Sequence, residues 1–106
     1  MAGSFSDYTE DKLLNHVFGA TSYSPPGTLY IALFTAAPSD SGGGTEVTGG
    51  SYARVAVTNN TTNFPNASGT SPTSKANGTT ITFPTASASW GTVVAFGIFD
   101  ASSSGN

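Results

Sequence analysis

Short apolar runs, separated by stretches rich in Gly, Ser, Thr, Asn and Pro, constrain the fold of this chain more than any other feature. These runs are rich in β-branched and aromatic residues, and their alternation is typical of strands; they lie at 28–35, 51–59, 78–83 and 92–99. Runs of this length form sheets and not a helical bundle. The sequence therefore predicts a mainly β protein over residues 28–106.

A single segment has helical periodicity. Residues 7–18 begin with a capping-box pattern, in which Asp7 or Ser6 serves as the N-cap, and Gly19 is well placed to end the helix. The apolar residues share one stripe of this helix: Leu13, Leu14, Val17 and Phe18. We expect the stripe to cover one face of the sheet, with docking onto neighbouring copies as the alternative.

The two most apolar runs differ from the others in their pattern. In 28–35 and 92–99 both faces of the strand are apolar, which predicts that both strands are internal to the sheet. The run at 51–59 alternates and predicts a half-exposed strand, and 78–83 predicts another. The segments 38–50 and 59–78 lack periodicity and are expected to be loops.

The end of the chain resembles half of a hairpin. Asp100 to Asn106 has the composition of a turn, yet no strand follows it. We therefore expect the last C-terminal strands to lie beyond residue 106, which leaves an unpaired edge. The fold prediction is an antiparallel β-sandwich-like domain with one N-terminal amphipathic helix, formed as a single domain by residues 1–106.

The scarcity of charge argues against catalysis and against binding to nucleic acid. The chain has three Lys or Arg, six Asp or Glu, one His and no Cys. A lone His16 has no second histidine or cysteine with which to hold a metal, and no serine motif supplies a nucleophile. Three scattered cations cannot neutralise a phosphate backbone. We predict no enzymatic activity, no metal and no cofactor.

The glycine-rich segment around Gly42–Gly44 allows two interpretations. Asp40 and Glu46 flank it, and their carboxylates are ligands that calcium accepts, but the EF-hand spacing is absent. A surface loop is the preferred interpretation. A phosphate-binding loop is rejected because neither a Lys-Ser/Thr pair nor a helix follows the glycines.

Most aromatic residues are expected in the core, and Tyr23 and Trp90 are the predicted exceptions because they lie beside turns. Such residues anchor protein interfaces. Together with Tyr52 they also allow a carbohydrate-binding module, provided that the three rings are exposed and coplanar. The predicted partner interface consists of the helix stripe with Tyr23 and Trp90.

Neither a secretion signal nor a membrane span is predicted. The N-terminal residues lack a basic region followed by an apolar core. No apolar run reaches the roughly 18 residues that a spanning helix needs. We expect synthesis in a cytoplasm and no insertion into a membrane.

The order of several segments resembles a known family. The segments are Leu13 to Gly19 (LLNHVFG), Leu29 to Pro38 (LYIALFTAAP), Gly42 to Val47 (GGGTEV), Gly49 to Arg54 (GGSYAR), Trp90-Gly91, and Phe96 to Ala101 (FGIFDA). Together they resemble small structural proteins of tailed bacteriophages and prophages, commonly labelled tail fibre proteins, over about residues 7–106. The resemblance implies a virion component in multiple copies, without catalytic residues.

Three functions remain open at this point. The first is a virion structural protein of the tail, made in the host bacterial cytoplasm. Its expected partners are other virion proteins and copies of itself, and host surface glycans are a further possibility. The second is a capsid decoration or head-fibre protein, and the third is a carbohydrate-binding module.

Overall fold

The computed structural model of the protein describes residues 4–106. One helix is followed by four strands: α1 is Asp7–Val17, β1 is Thr28–Ala36, β2 is Thr45–Glu46, β3 is Val55–Thr58 and β4 is Ala95–Phe99. All strand pairs are antiparallel. The prediction of a mainly β, antiparallel fold with one N-terminal helix is confirmed. The described residues form a single sheet, so its sandwich-like packing stays a prediction.

Strand β1 is the centre of the sheet. Its first half pairs with β3 and its second half with β2 along one edge, while β4 pairs along the other edge. The central position predicted for 28–35 is confirmed. It follows from the sequence of β1, because apolar side chains on both faces are stable only where both faces receive some cover.

Alternation along β1 defines two faces of the sheet. The Ala32 face carries Tyr30, Ala32 and Phe34, and the Ile31 face carries Leu29, Ile31 and Leu33. Register places Gly97 opposite Ala32 and Ile98 opposite Ile31. The buried apolar residues lie in or beside these strands and make a small core: Ile31, Ala32, Phe34, Val47 and Val57.

The helix forms as the sequence predicts but packs differently. The Ser6 side chain accepts a hydrogen bond from the Thr9 N–H, so Ser6 is the N-cap, and Phe18 is the C-cap. The expectation that the helix stripe covers the sheet is wrong. None of the helical residues is buried, and α1 has no contact with any strand of the described chain.

Three strand predictions also need correction. The segment 92–99 is not internal, because β4 pairs only with β1 among the described residues. The segment 78–83 has no strand. The loop predicted at 38–50 contains β2, which is only two residues long. A two-residue strand carries no periodicity, so the pairing of β2 depends on neighbours that the sequence does not identify.

The turn predicted after β4 is present. The Asp100 N–H donates to the Asn106 carbonyl at 3.0 Å, and the Asn106 N–H donates to Asp100 Oδ1 at 2.8 Å. Gly105 takes φ 79° within this turn, a conformation that favours glycine. The second edge of β4 has no strand partner within residues 4–106.

Candidate functional site

The helix presents an apolar surface to solvent, which we call the helix patch: Leu13, Leu14, Val17 and Phe18. Leu14 is 58% exposed and Phe18 is 77% exposed. A helix with one apolar stripe gains most of its stability by burying that stripe, and here the described chain does not bury it. All four residues were predicted to form an interface, and their exposure leaves them available for one.

The beginning of α1 is fixed to the 38–50 segment by polar contacts. The Asp7 N–H donates to the Asp40 carbonyl at 3.0 Å, and Ser4 Oγ donates to Asp40 Oδ1 at 2.6 Å. At the other end, the Thr21 N–H donates to the Asn15 carbonyl at 3.0 Å. The start of the helix is therefore fixed to a distant segment, its end is closed by a local hydrogen bond, and its apolar face stays uncovered.

A second apolar surface lies on β4, and sequence reasoning missed it. We call it the β4 patch: Val94, Phe96 and Ile98. Their exposed fractions are 61%, 65% and 51%. Phe96 and Ile98 lie opposite Leu33 and Ile31 on the Ile31 face, and Val94 continues the same alternation just before the strand. An internal position was expected for these residues because their run is apolar on both faces.

The remaining predicted interface residues, Tyr23 and Trp90, are half-buried. Trp90 Nε1 donates to the Gly50 carbonyl at 2.9 Å, and its ring meets Tyr52 at 5.5 Å with an interplanar angle of 82°. Tyr52 in turn stacks on Phe83. An edge-on pair of rings, packed against the protein, is not the coplanar platform that stacking on a sugar requires.

The Ala32 face carries an ionic cluster. Arg54 Nε and Nη2 donate to the two carboxylate oxygens of Glu46 at 2.9 and 2.8 Å. The Tyr52 hydroxyl donates to Glu46 Oε1 at 2.8 Å and accepts the Leu33 N–H at 3.0 Å. Only 6% of the Arg54 side chain is exposed. Bidentate geometry with further hydrogen bonds compensates the desolvation of these charges.

Arg54 also connects distant parts of the chain. Its guanidinium lies 3.9 Å from the centroid of the Phe99 ring, and Nη1 donates to the carbonyls of Ala101 and Ser104 at 2.9 and 2.8 Å. The side chain therefore links β2, β4 and the turn after β4. This arrangement covers the Ala32 face.

The cluster shifts the pKa values of its members in directions that stabilise the charged pair. The hydrogen bond from Arg54 lowers the pKa of Glu46, against the opposing effect of burial. The same hydrogen bond raises the pKa of Arg54, and burial raises the pKa of Tyr52. The ion pair therefore favours the ionised forms of both Glu46 and Arg54.

A shallow, open groove of about 330 Å³ lies beside this cluster. Its charged lining residues, Glu46 and Arg54, are already paired with each other. The geometry does not support the calcium interpretation, because the two acidic residues bind other groups. Glu46 binds Arg54, and Asp40 accepts hydrogen bonds from Ser4 and Asp7. His16 is exposed, and its Nδ1 lies 3.3 Å from the Thr21 carbonyl.

These features define the class of the molecule: a small β protein with an ionic cluster on one sheet face and two uncovered apolar patches. The chain belongs to the family described as Podophage GP4 fiber I protein gp80, whose family model matches residues 4–106. It is thus a member of a phage fibre protein family. No curated protein and no solved structure gave a significant match. Within residues 4–106, no helix is long and apolar enough to span a membrane.

Proposed function

We propose that the protein is a tail fibre component of a bacteriophage virion, assembled in multiple copies and without enzymatic activity. The family match over residues 4–106 is the observation that carries this proposal, since the family is that of a phage fibre protein. The chain is made in the host bacterial cytoplasm and functions on the particle. Its partners are copies of itself and other virion proteins.

The surface of the molecule supports an assembled state. The helix patch and the β4 patch together expose seven large apolar side chains, and all but Leu13 are more than half exposed. Soluble monomers rarely leave apolar patches larger than a few hundred Å² uncovered. A protein that functions within an assembly covers such patches with its neighbours.

The arrangement of polar groups supports a structural role. The most enclosed charged group, Arg54, uses its donors on Glu46, Ala101 and Ser104. These contacts hold strands and a turn together. A general acid or base needs a proton-exchanging group with access to substrate, which the mutually paired Glu46 and Arg54 do not offer.

Imaging of the parent particle by electron cryomicroscopy tests the location. We expect density for this chain on the tail, and gold-labelled antibodies against the exposed segment 66–77 should label the tail of the same particles. Particles grown from a phage that lacks the gene are the control for both signals. Label on the capsid lattice would instead indicate a decoration or head-fibre protein, and absence of the chain from purified particles would refute a virion role.

A further inference from the structure

The two apolar patches of this molecule differ in shape and are similar in exposed area. The helix patch is a convex ridge on α1, and the β4 patch lies on a flat sheet face. The helix patch extends about 8 Å along the axis from residue 13 to residue 18, and 94–98 extends about 13 Å along the strand. A helix laid on a sheet face is one of the standard ways to bury both.

Within one copy this packing does not occur, because α1 contacts no strand. We infer that the helix patch of one copy docks on the β4 patch of a second copy. This inference rests on the proposed function, since a fibre component assembled in multiple copies presents both patches to neighbours. The contact is heterologous: one copy supplies the helix and the next supplies the strand.

The exposed area supports a second copy as the occupant. Fully exposed side chains of this size present on the order of 150–250 Å², so each half-exposed patch amounts to roughly 300–400 Å². One patch alone is ordinary for a monomer. A heterologous contact covers one patch on each partner, so it buries roughly 300–400 Å² per partner, and the similar areas allow each patch to cover the other. This is below the ~800 Å² per partner of a stable interface, so each contact is weak, and a copy with two neighbours makes two of them.

Charge supports the same occupant. No charged residue occurs in 90–99, and His16 is the only ionisable side chain in 13–22. Neither patch therefore selects an acidic or a basic partner. The shape complement that each patch needs is present on the other patch of an identical chain.

Sedimentation of the 106-residue chain is the first test. The wild-type chain should associate below about 100 µM, and Val17→Asp or Phe96→Asp should each weaken association by at least about tenfold. His16→Asp is the matched control on the helix, because it adds the same charge beside Val17 but off the patch. Thr70→Asp is the control on an exposed loop residue. Monomeric wild-type protein, or unchanged association of either patch variant, would overturn the inference.

Cysteine cross-linking is a second test that does not depend on destabilising variants. The sequence contains no native cysteine, so only the introduced cysteines can form disulfides. Phe18→Cys and Phe96→Cys chains are mixed under mild oxidation. We expect the mixed disulfide dimer in several-fold excess over a Phe18→Cys and Thr70→Cys mixture. Predominant Phe18–Phe18 or Phe96–Phe96 homodimers, or a yield equal to the control, would overturn the inference.

The outcomes separate this inference from the proposed function. Monomeric chains without the mixed disulfide, together with density on the tail, would refute the patch contact and leave the fibre role intact. Association through the two patches, together with absence of the chain from particles, would support the patch contact and refute the fibre role.

Discussion

Phe34 and Phe96 lie in neighbouring, directly paired strands, yet Phe34 is 3% exposed and Phe96 is 65% exposed. They differ in the face of the sheet that they occupy. On the Ala32 face, Phe34 stacks with Phe99 at 6.1 Å, and Arg54 covers the Phe99 ring. On the Ile31 face, no element of the described chain lies over Phe96.

The difference shows that burial in this sheet depends on what lies across each face and not on the apolarity of the strand. Arg54 fixes the turn after β4 over one face through the Ala101 and Ser104 carbonyls. The helix α1 contacts no strand, and hydrogen bonds to Asp40 fix its start to the 38–50 segment. The Ala32 face is covered within the chain, whereas the Ile31 face is covered at Ile31 and Val57 and left open over the β4 patch.

The largest expected effect comes from truncating the covered phenylalanine. Phe34→Ala should lower the free energy of unfolding by about 3–5 kcal/mol, because it leaves a cavity in a small core. Phe96→Ala, the matched control on the other face, should change it by less than about 0.5 kcal/mol in dilute, monomeric protein. Urea denaturation measures both free energies of unfolding. Equal losses in the two variants would contradict the difference in cover between Phe34 and Phe96.

Removal of the ionic cover is expected to have the next largest effect. Arg54→Ala leaves the Glu46 carboxylate without its bidentate partner and releases the turn after β4, so we expect a loss of about 3 kcal/mol in the free energy of unfolding. Lys75→Ala is the control, since Lys75 is exposed and makes one hydrogen bond to the Pro65 carbonyl. If both variants unfold at the same urea concentration, Arg54 does not hold the Ala32 face closed.

Gly97 tests how tightly the covered face is packed. A Cβ at Gly97 would lie 2.8 Å from an atom of the Phe99 ring and 3.2 Å from one of the Phe34 ring, so Gly97→Ala should cost about 1–3 kcal/mol. Gly27→Ala is the matched control, because nothing lies within 4 Å of its added Cβ. Thermal denaturation compares the two, and a neutral Gly97→Ala would mean that the aromatic pair can move apart.

Local patterns predicted part of this structure well. The capping pattern near Ser6 and Asp7 and the apolar stripe specify α1 to within one residue, and the doubly apolar run of β1 specifies the central strand. Both features depend on neighbours within a few positions along the chain. The turn at Asp100 was predicted for the same reason.

The relations between distant segments could not be predicted in the same way. The sequence of β4 is as apolar as that of β1, so nothing local distinguishes an edge strand from a central one. The ion pair joins Glu46 of β2 with Arg54, which directly precedes β3, and from the sequence alone Glu46 was interpreted as part of a surface loop. The spacing of apolar residues along the sequence identifies surfaces that can be buried, but it does not identify which element buries them.

The smallest expected effect is the dependence of stability on acid. The hydrogen bond from Arg54 holds the pKa of Glu46 below its ordinary 4.5, so the folded state releases this proton more readily than the unfolded state. The stabilisation is therefore complete above that ordinary value and is lost as pH falls through the lowered pKa. Asp100 acts in the same direction, because the Asn106 backbone N–H lowers the pKa of its carboxyl.

Glu46→Gln isolates the contribution of the ionic cluster. The variant should be less stable than the wild-type chain near neutral pH, and the difference should shrink as pH falls below 4.5 and through the lowered pKa of Glu46, since the wild-type carboxylate becomes protonated there. Asp100→Asn is the control, because it should flatten the acid dependence while leaving the Arg54 pair in place. Melting temperatures across this range measure both. A constant difference between Glu46→Gln and wild type at every pH would mean that Arg54 stabilises the Ala32 face by packing on Phe99, and not through the charge of Glu46.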